Sequence, residues 1–205
     1  MQPFAAHCLN FCYADKAVFD LKNGEQARSS PMRSQSEAHM FQQLFSRRGR
    51  TTFNIEPHVG ILPLKLEMPR NEVQRLMRNL GYGLSSSHDQ SDYYIESSVQ
   101  VEFDAAEKAS FIGISPHHET DVLYNGKRVF EHEAEFVFSF IRECGDEMYS
   151  EYEPREYLFR KQILTLWDAA EQYELGGERF PVWGQIGVGN QYYLSAVDAI
   201  NGLGN

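Results

Sequence analysis

From Asp146 to Glu153 the chain reads Asp-Glu-Met-Tyr-Ser-Glu-Tyr-Glu, carboxylates interleaved with tyrosines. Carboxylates steer a cationic partner into place, and tyrosine rings give contact area at little entropic cost. Asp146, Glu147, Tyr149, Glu151, Tyr152 and Glu153 are therefore candidate contacts for a basic protein. Trp183, which follows Pro181, is a candidate anchor for the same partner, because indoles dominate the energetics of many interfaces. A solvated acidic loop has the same composition, so the run points to a partner only where the fold gathers rings and acids on one surface.

A second group is His117-His118-Glu119 with Asp121, followed by His132 and Glu133. Imidazole and carboxylate are proper ligands for zinc or a similar ion. Adjacent residues of an extended chain point to opposite sides, so only one of the two histidines serves easily. A polar linker explains the run as well, and no metal site is assigned. Other chemistry lacks its motif. No Gly-x-x-x-x-Gly-Lys-Ser/Thr and no Gly-x-Ser-x-Gly occurs. Gly184, Gly187 and Gly189 sit where a strand is expected, and close packing accounts for them. The carboxylates Glu131, Glu133 and Glu135 precede or open a helix, where its dipole favours them. No catalytic residue and no cofactor is predicted.

The elements that carry these residues come in two copies. Residues 64 apart match: Gly81 with Gly145, Tyr93 with Tyr157, and Asp104-Ala105-Ala106-Glu107 with Asp168-Ala169-Ala170-Glu171. Val73, Leu76, Met77 and Leu80 give an apolar stripe at helical spacing, bounded by Pro69 and Gly81. In the second copy Phe136, Val137, Phe140, Ile141 and Cys144 form the corresponding inward face. Strands are expected at Tyr93–Ile95, Val99–Phe103, Phe111–Ile114, Tyr157–Phe159 and Ile163–Trp167, with Ser85–Asp89 as a loop. Asn125-Gly126 is a hairpin turn. Ile112-Gly113-Ile114 matches Ile186-Gly187-Val188 at an offset of 74, so the second copy holds ten extra residues between these strands. Trp167 replaces Phe103 and is expected in the core.

The chain has 205 residues and 42% hydrophobic content, enough for a packed core. Its three cysteines form no disulfide framework and suit reduced thiols. No run reaches the roughly 18 apolar residues of a membrane span. No basic flank and apolar region open the chain as a secretory signal would. A cytoplasmic protein is expected. Residues 1–50 hold seven of the 19 Lys/Arg and four of the 29 Asp/Glu, leaving 12 basic against 25 acidic side chains from residue 51 onward. A body so acidic repels nucleic acid and anionic membranes and attracts a basic protein. The polar stretch Asn23–Ala38 and the basic Arg47-Arg48-Gly49-Arg50 mark residues 1–50 as a partly disordered, mobile extension.

The stretch Leu64-Lys65-Leu66-Glu67-Met68-Pro69-Arg70-Asn71-Glu72-Val73, then a helix, Gly81, Tyr93-Tyr94 and Val99-Gln100-Val101-Glu102-Phe103-Asp104, resembles beta-lactamase-inhibitor-like repeats and small outer-membrane assembly lipoproteins of similar fold. Glu67 stands where those families carry Gly, and the lipoprotein signal with its lipidated cysteine is missing. The resemblance thus implies a helix and a small antiparallel sheet in each copy, without a lipoprotein role. As a two-copy chain it is similar to uncharacterised bacterial proteins regarded as toxin immunity proteins. That similarity implies binding without catalytic residues.

The expectation is an α+β protein. Residues 1–50 form the extension, 51–120 a first α/β repeat and 121–205 a second, the two repeats packed as one body. Its expected function is non-enzymatic binding of a protein, in the manner of an immunity protein that occludes a basic toxin. Two alternatives stay open: a small-molecule or metal-binding hydrolase, and a self-associating module that pairs sheet edges.

Overall fold

Pro69 and Gly81 bracket the first helix, α1 (Arg70–Asn79). Pro69 is extended, and its missing N–H costs nothing ahead of a helix. Gly81 takes a left-handed φ of 90°, so its N–H reaches Arg78 O and that of Tyr82 reaches Met77 O, satisfying carbonyls the helix leaves free. The computed structural model describes residues 49–145, 149–153, 156–173 and 179–202. Residues 1–48 lie outside these.

Ahead of α1 stand β1 (Thr51–Glu56), β2 (Gly60–Leu62) and β3 (Leu64–Lys65). After it come β4 (Leu84–His88), β5 (Ser91–Tyr94), β6 (Val99–Phe103) and β7 (Ala109–Ile114). The second half opens with β8 (Thr120–Tyr124), β9 (Lys127–Arg128) and a 3-10 turn, then α2 (Ala134–Gly145). β10 (Tyr149–Glu153), β11 (Glu156–Phe159), β12 (Leu164–Tyr173), β13 (Arg179–Gly189) and α3 (Gln191–Ile200) complete it. The protein is α+β. The order of one helix followed by four antiparallel strands occurs in both halves. At the expected hairpin, Asn125 and Gly126 both take positive φ, as a tight two-residue turn between β8 and β9 requires.

The strands form two sheets. β3-β2-β1-β8-β9 is the smaller, with β1 and β8 running parallel. The larger runs β10-β11-β12-β13-β7-β6-β5-β4. Its two halves join at β7 and β13, where Ile114 lies opposite Ile186, Gly113 opposite Gly187, and Ile112 opposite Val188. One face of this sheet carries Val99, Val101, Ile112, Ile114, Leu164, Leu166, Ile186 and Val188. These pack with Phe53, Ile55 and Val122 of the smaller sheet, with Val73 and Met77 of α1, and with Val137 and Ile141 of α2, in a single core. On the other face α3 lays Leu194 and Val197 over Leu158 and Ile163. Arg160 fastens the far end of α3 by two 2.7 Å hydrogen bonds to Asp198.

Several expectations are corrected here. Ser85–Asp89 is strand rather than loop up to His88, with Asp89 turning the chain at φ 45°. Phe136 is 44% exposed and Cys144 is exposed, because α2 turns only Ala134, Val137 and Ile141 fully inward. The shared tetrapeptide takes two shapes. Asp104 Oδ1 accepts the N–H groups of Ala106 and Lys108 and makes a turn, whereas Asp168–Glu171 runs on as strand because residues 180–183 are there to pair with it. Phe103 is core, since alternation along β6 puts it on the same inward face as Val99 and Val101. Trp167 keeps its register opposite Gln185 and stays half-buried on the outer face.

Gly187 tests the seam. A Cβ there would lie 2.3 Å from the Phe111 ring and 2.9 Å from Thr165 Oγ1. The Phe111 ring cannot swing away, as it stacks on Tyr193 at 4.6 Å. Gly187→Ala should cost about 1–3 kcal/mol by urea unfolding. Gly83→Ala, with open space around it, should change stability by less than about 0.5 kcal/mol.

Candidate functional site

The acidic–aromatic run is divided by the fold. Asp146 and Glu147 lie outside the described residues. Tyr149, Glu151, Tyr152 and Glu153 lie on β10, an edge strand of the larger sheet. β10 pairs with β11 so that Glu151 faces Tyr157 and Tyr149 faces Phe159. α2 lies against this edge and delivers Phe138, whose ring is 4.8 Å from both Tyr149 and Tyr157 and 5.4 Å from Phe159. Edge-to-face contacts of this kind add about 0.5–1.5 kcal/mol each beyond their buried area. Tyr149 remains 41% exposed at the rim of the cluster, with the exposed Glu151 on the same strand. The Tyr157 hydroxyl donates to Glu151 Oε1 at 3.2 Å. Burial, and then the negative charge of Glu151, push the Tyr157 phenol up, so it stays protonated and keeps donating.

Trp183 needs a correction. It is 3% exposed, and its indole N–H donates to Ala134 O at 2.9 Å. The left-handed Asp168 bends β12 where it faces Gly184, and Trp183 beyond the bend turns into the core beneath α2. It backs Tyr157 at 5.7 Å and offers no ring to a partner.

The His117 and His118 rings lie 4.3 Å apart rather than on opposite sides of the chain, but no third ligand joins them among the described residues. Asp121 is held by Arg50 at 3.0 Å and by Arg128 at 3.7 Å. His117 Nδ1 accepts the Glu119 N–H, which places the imidazole proton on Nε2, 3.6 Å from Glu96 Oε2. A protonated nitrogen has no lone pair for a metal. Among the described residues no set of three His, Cys, Asp or Glu gathers as metal ligands.

The most fully bonded carboxylate is elsewhere. Asp92 on β5 is wholly buried, and Arg70 of α1 grips its Oδ1 at 2.7 and 3.2 Å through two nitrogens. Gln74 and Tyr94 donate to Oδ2, and Ser87 donates to Oδ1. Arg70 also reaches Glu107 and lies 4.9 Å from the centre of the Phe103 ring. Burial pushes the Asp92 carboxyl up, and the hydrogen bonds from Arg70, Gln74 and Ser87 together outweigh it, so the group sits below the usual carboxylate range. Burial and the neighbouring Asp92 charge push the Tyr94 phenol up. This arrangement locks the start of α1 to the β4–β5 hairpin. With its lone pairs occupied and no solvent access, Asp92 is not placed to act on a substrate. A sign of it stood in the sequence: a cation in the first turn of a helix opposes the dipole and calls for an anion.

Comparison with protein-family models, curated proteins and solved structures gives no match. No helix among the described residues is long and apolar enough to cross a membrane.

Arg70→Ala should destabilise the protein by about 3–5 kcal/mol, because it strands a buried carboxylate. A carboxyl whose folded pKa is depressed contributes stability above its unfolded pKa and loses it as pH falls through the folded value. In urea titrations the gap between wild type and Asp92→Asn should therefore be widest near neutral pH and shrink below about pH 4.

Proposed function

We propose that this protein is a non-enzymatic binding module made of two α/β repeats, and that it captures a basic protein at the β10 edge. The observation that carries the reading is the exposed Tyr149 ring, backed by Phe138 and Tyr157 and flanked by Glu151. Rings held by packing make an anchor with little entropy left to lose on binding, and carboxylates beside them speed encounter with a cation. Glu153, Asp146 and Glu147 extend the same acidic segment in sequence. The acidic balance of the chain beyond residue 50 favours a basic partner over nucleic acid or an anionic membrane. Occlusion of a basic toxin, in a cytoplasmic setting, is the concrete form of this reading.

Capture from the native cell, read by mass spectrometry, tests it. Wild-type protein should retain a basic protein that is released near 0.5 M salt. Tyr149→Ala and Glu151→Lys should each weaken the purified pair at least tenfold, which is about 1.4 kcal/mol. Wild-type affinity in both variants would remove β10 as the site.

A further inference from the structure

α2 carries a second aromatic row, separate from the rings at β10. His132, just ahead of the helix, Phe136 and Phe140 are spaced by four residues, so they line one side of it. The Phe136 ring stacks on Phe140 at 6.0 Å and lies 4.8 Å from His132. Phe140 in turn meets the buried Tyr124 edge-on at 5.9 Å. One end of the row is thus seated on the core, whereas Phe136 stands 44% exposed. The exposed Glu133, Glu135 and Glu143 border it. A lone exposed ring needs no explanation, but a stacked row rimmed by carboxylates has the form of an interaction surface. Phe138, which backs Tyr149, is two residues from Phe136 and so points away from this row. The inference therefore does not rest on capture at β10.

The chain itself supplies an occupant. Residues 1–48 join the described body at Gly49 and Arg50. Arg50 is tied to Asp121 at 3.0 Å and lies 3.6 Å from Glu131, the residue next to His132. Just ahead of this junction stands Met40-Phe41-Gln42-Gln43-Leu44-Phe45-Ser46-Arg47-Arg48. Phe41, Leu44 and Phe45 have the spacing of one helical face. Arg47 and Arg48 follow them, and no carboxylate occurs between Met40 and Arg50. Extended chain from Gly49 to Phe41 reaches roughly 26 Å, and the row from His132 to Phe140 is about 12 Å long. We propose that Phe41–Phe45 docks on the Phe136–Phe140 row of its own chain, with Arg47 and Arg48 against the bordering glutamates. Apolar side chains take the exposed ring out of water, and opposite charges set the orientation. The tether holds the segment at an effective concentration in the millimolar range, so a weak contact suffices. A second copy or a foreign basic peptide meets the same chemistry without that advantage.

Hydrogen exchange of the full chain, read by mass spectrometry, tests this. Amides of residues 40–46 should exchange at least tenfold more slowly in wild type than in Phe136→Asp or in Phe41→Ala/Leu44→Ala. Combining the two sets should remove no more protection than either alone, as expected of groups that meet. Glu133→Lys/Glu135→Lys should cut the protection at least threefold, and this pair decides if circular dichroism shows Phe136→Asp unfolded. The slow exchange should persist on about hundredfold dilution, since a tethered contact does not depend on protein concentration. Fast exchange in wild type, or slow exchange that survives the folded variants, would overturn the proposal. Protection that fades on dilution would move the segment onto a second copy and overturn its seat within one chain.

Discussion

The molecule hangs on the antiparallel pairing of β7 with β13. These strands come from different halves of the chain, and their contact turns two four-stranded meanders into one eight-stranded sheet. β7 is buried along its whole length. Ile112, Ile114, Ile186 and Val188 feed the common core on one side. On the other, Gly113, Gly187 and Gly189 leave room for Gln185, Phe111 and Tyr193 to lie close to the backbone. The pairing therefore sets both what the helices pack against and how near the outer side chains approach.

The two halves secure their helices differently. α1 is fastened by a buried ion pair, while α2 is fastened by rings. Around α1 the fastening is done by Arg70, Gln74, Ser87 and Asp92, and around α2 by Phe138, Tyr149, Tyr157 and Phe159. A buried ion pair rarely surpasses good apolar packing in net stability, but it tolerates only one geometry. The aromatic arrangement is more permissive, and it leaves Tyr149 and Glu151 at the surface. One scaffold thus spends its first helix–hairpin contact on rigidity and keeps the second open to solvent.

Much of this fold was legible in the sequence because local signals and burial agree there. The stripe Val73, Leu76, Met77 and Leu80 between Pro69 and Gly81 reads as α1, and alternation reads as β6. Asn125-Gly126 reads as a turn. Legibility failed where long-range register decides. Alternation carries Phe103 inward, but nothing local says that Trp167 stays outside, or that the same Asp-Ala-Ala-Glu turns the chain in one place and continues as strand in the other. Trp183 looked like a surface anchor because the bend at Asp168 is not written in any spacing.

That strand order has a cost in time. During synthesis β7 emerges complete, apolar on both faces, with one edge covered by β6. Its other neighbour, β13, is among the last elements made, so this central edge waits in the open while the second meander leaves the ribosome. Exposed apolar edges are templates for unintended pairing. The nascent chain is thus most open to unintended pairing at its own centre until Arg179–Gly189 has emerged to close the sheet.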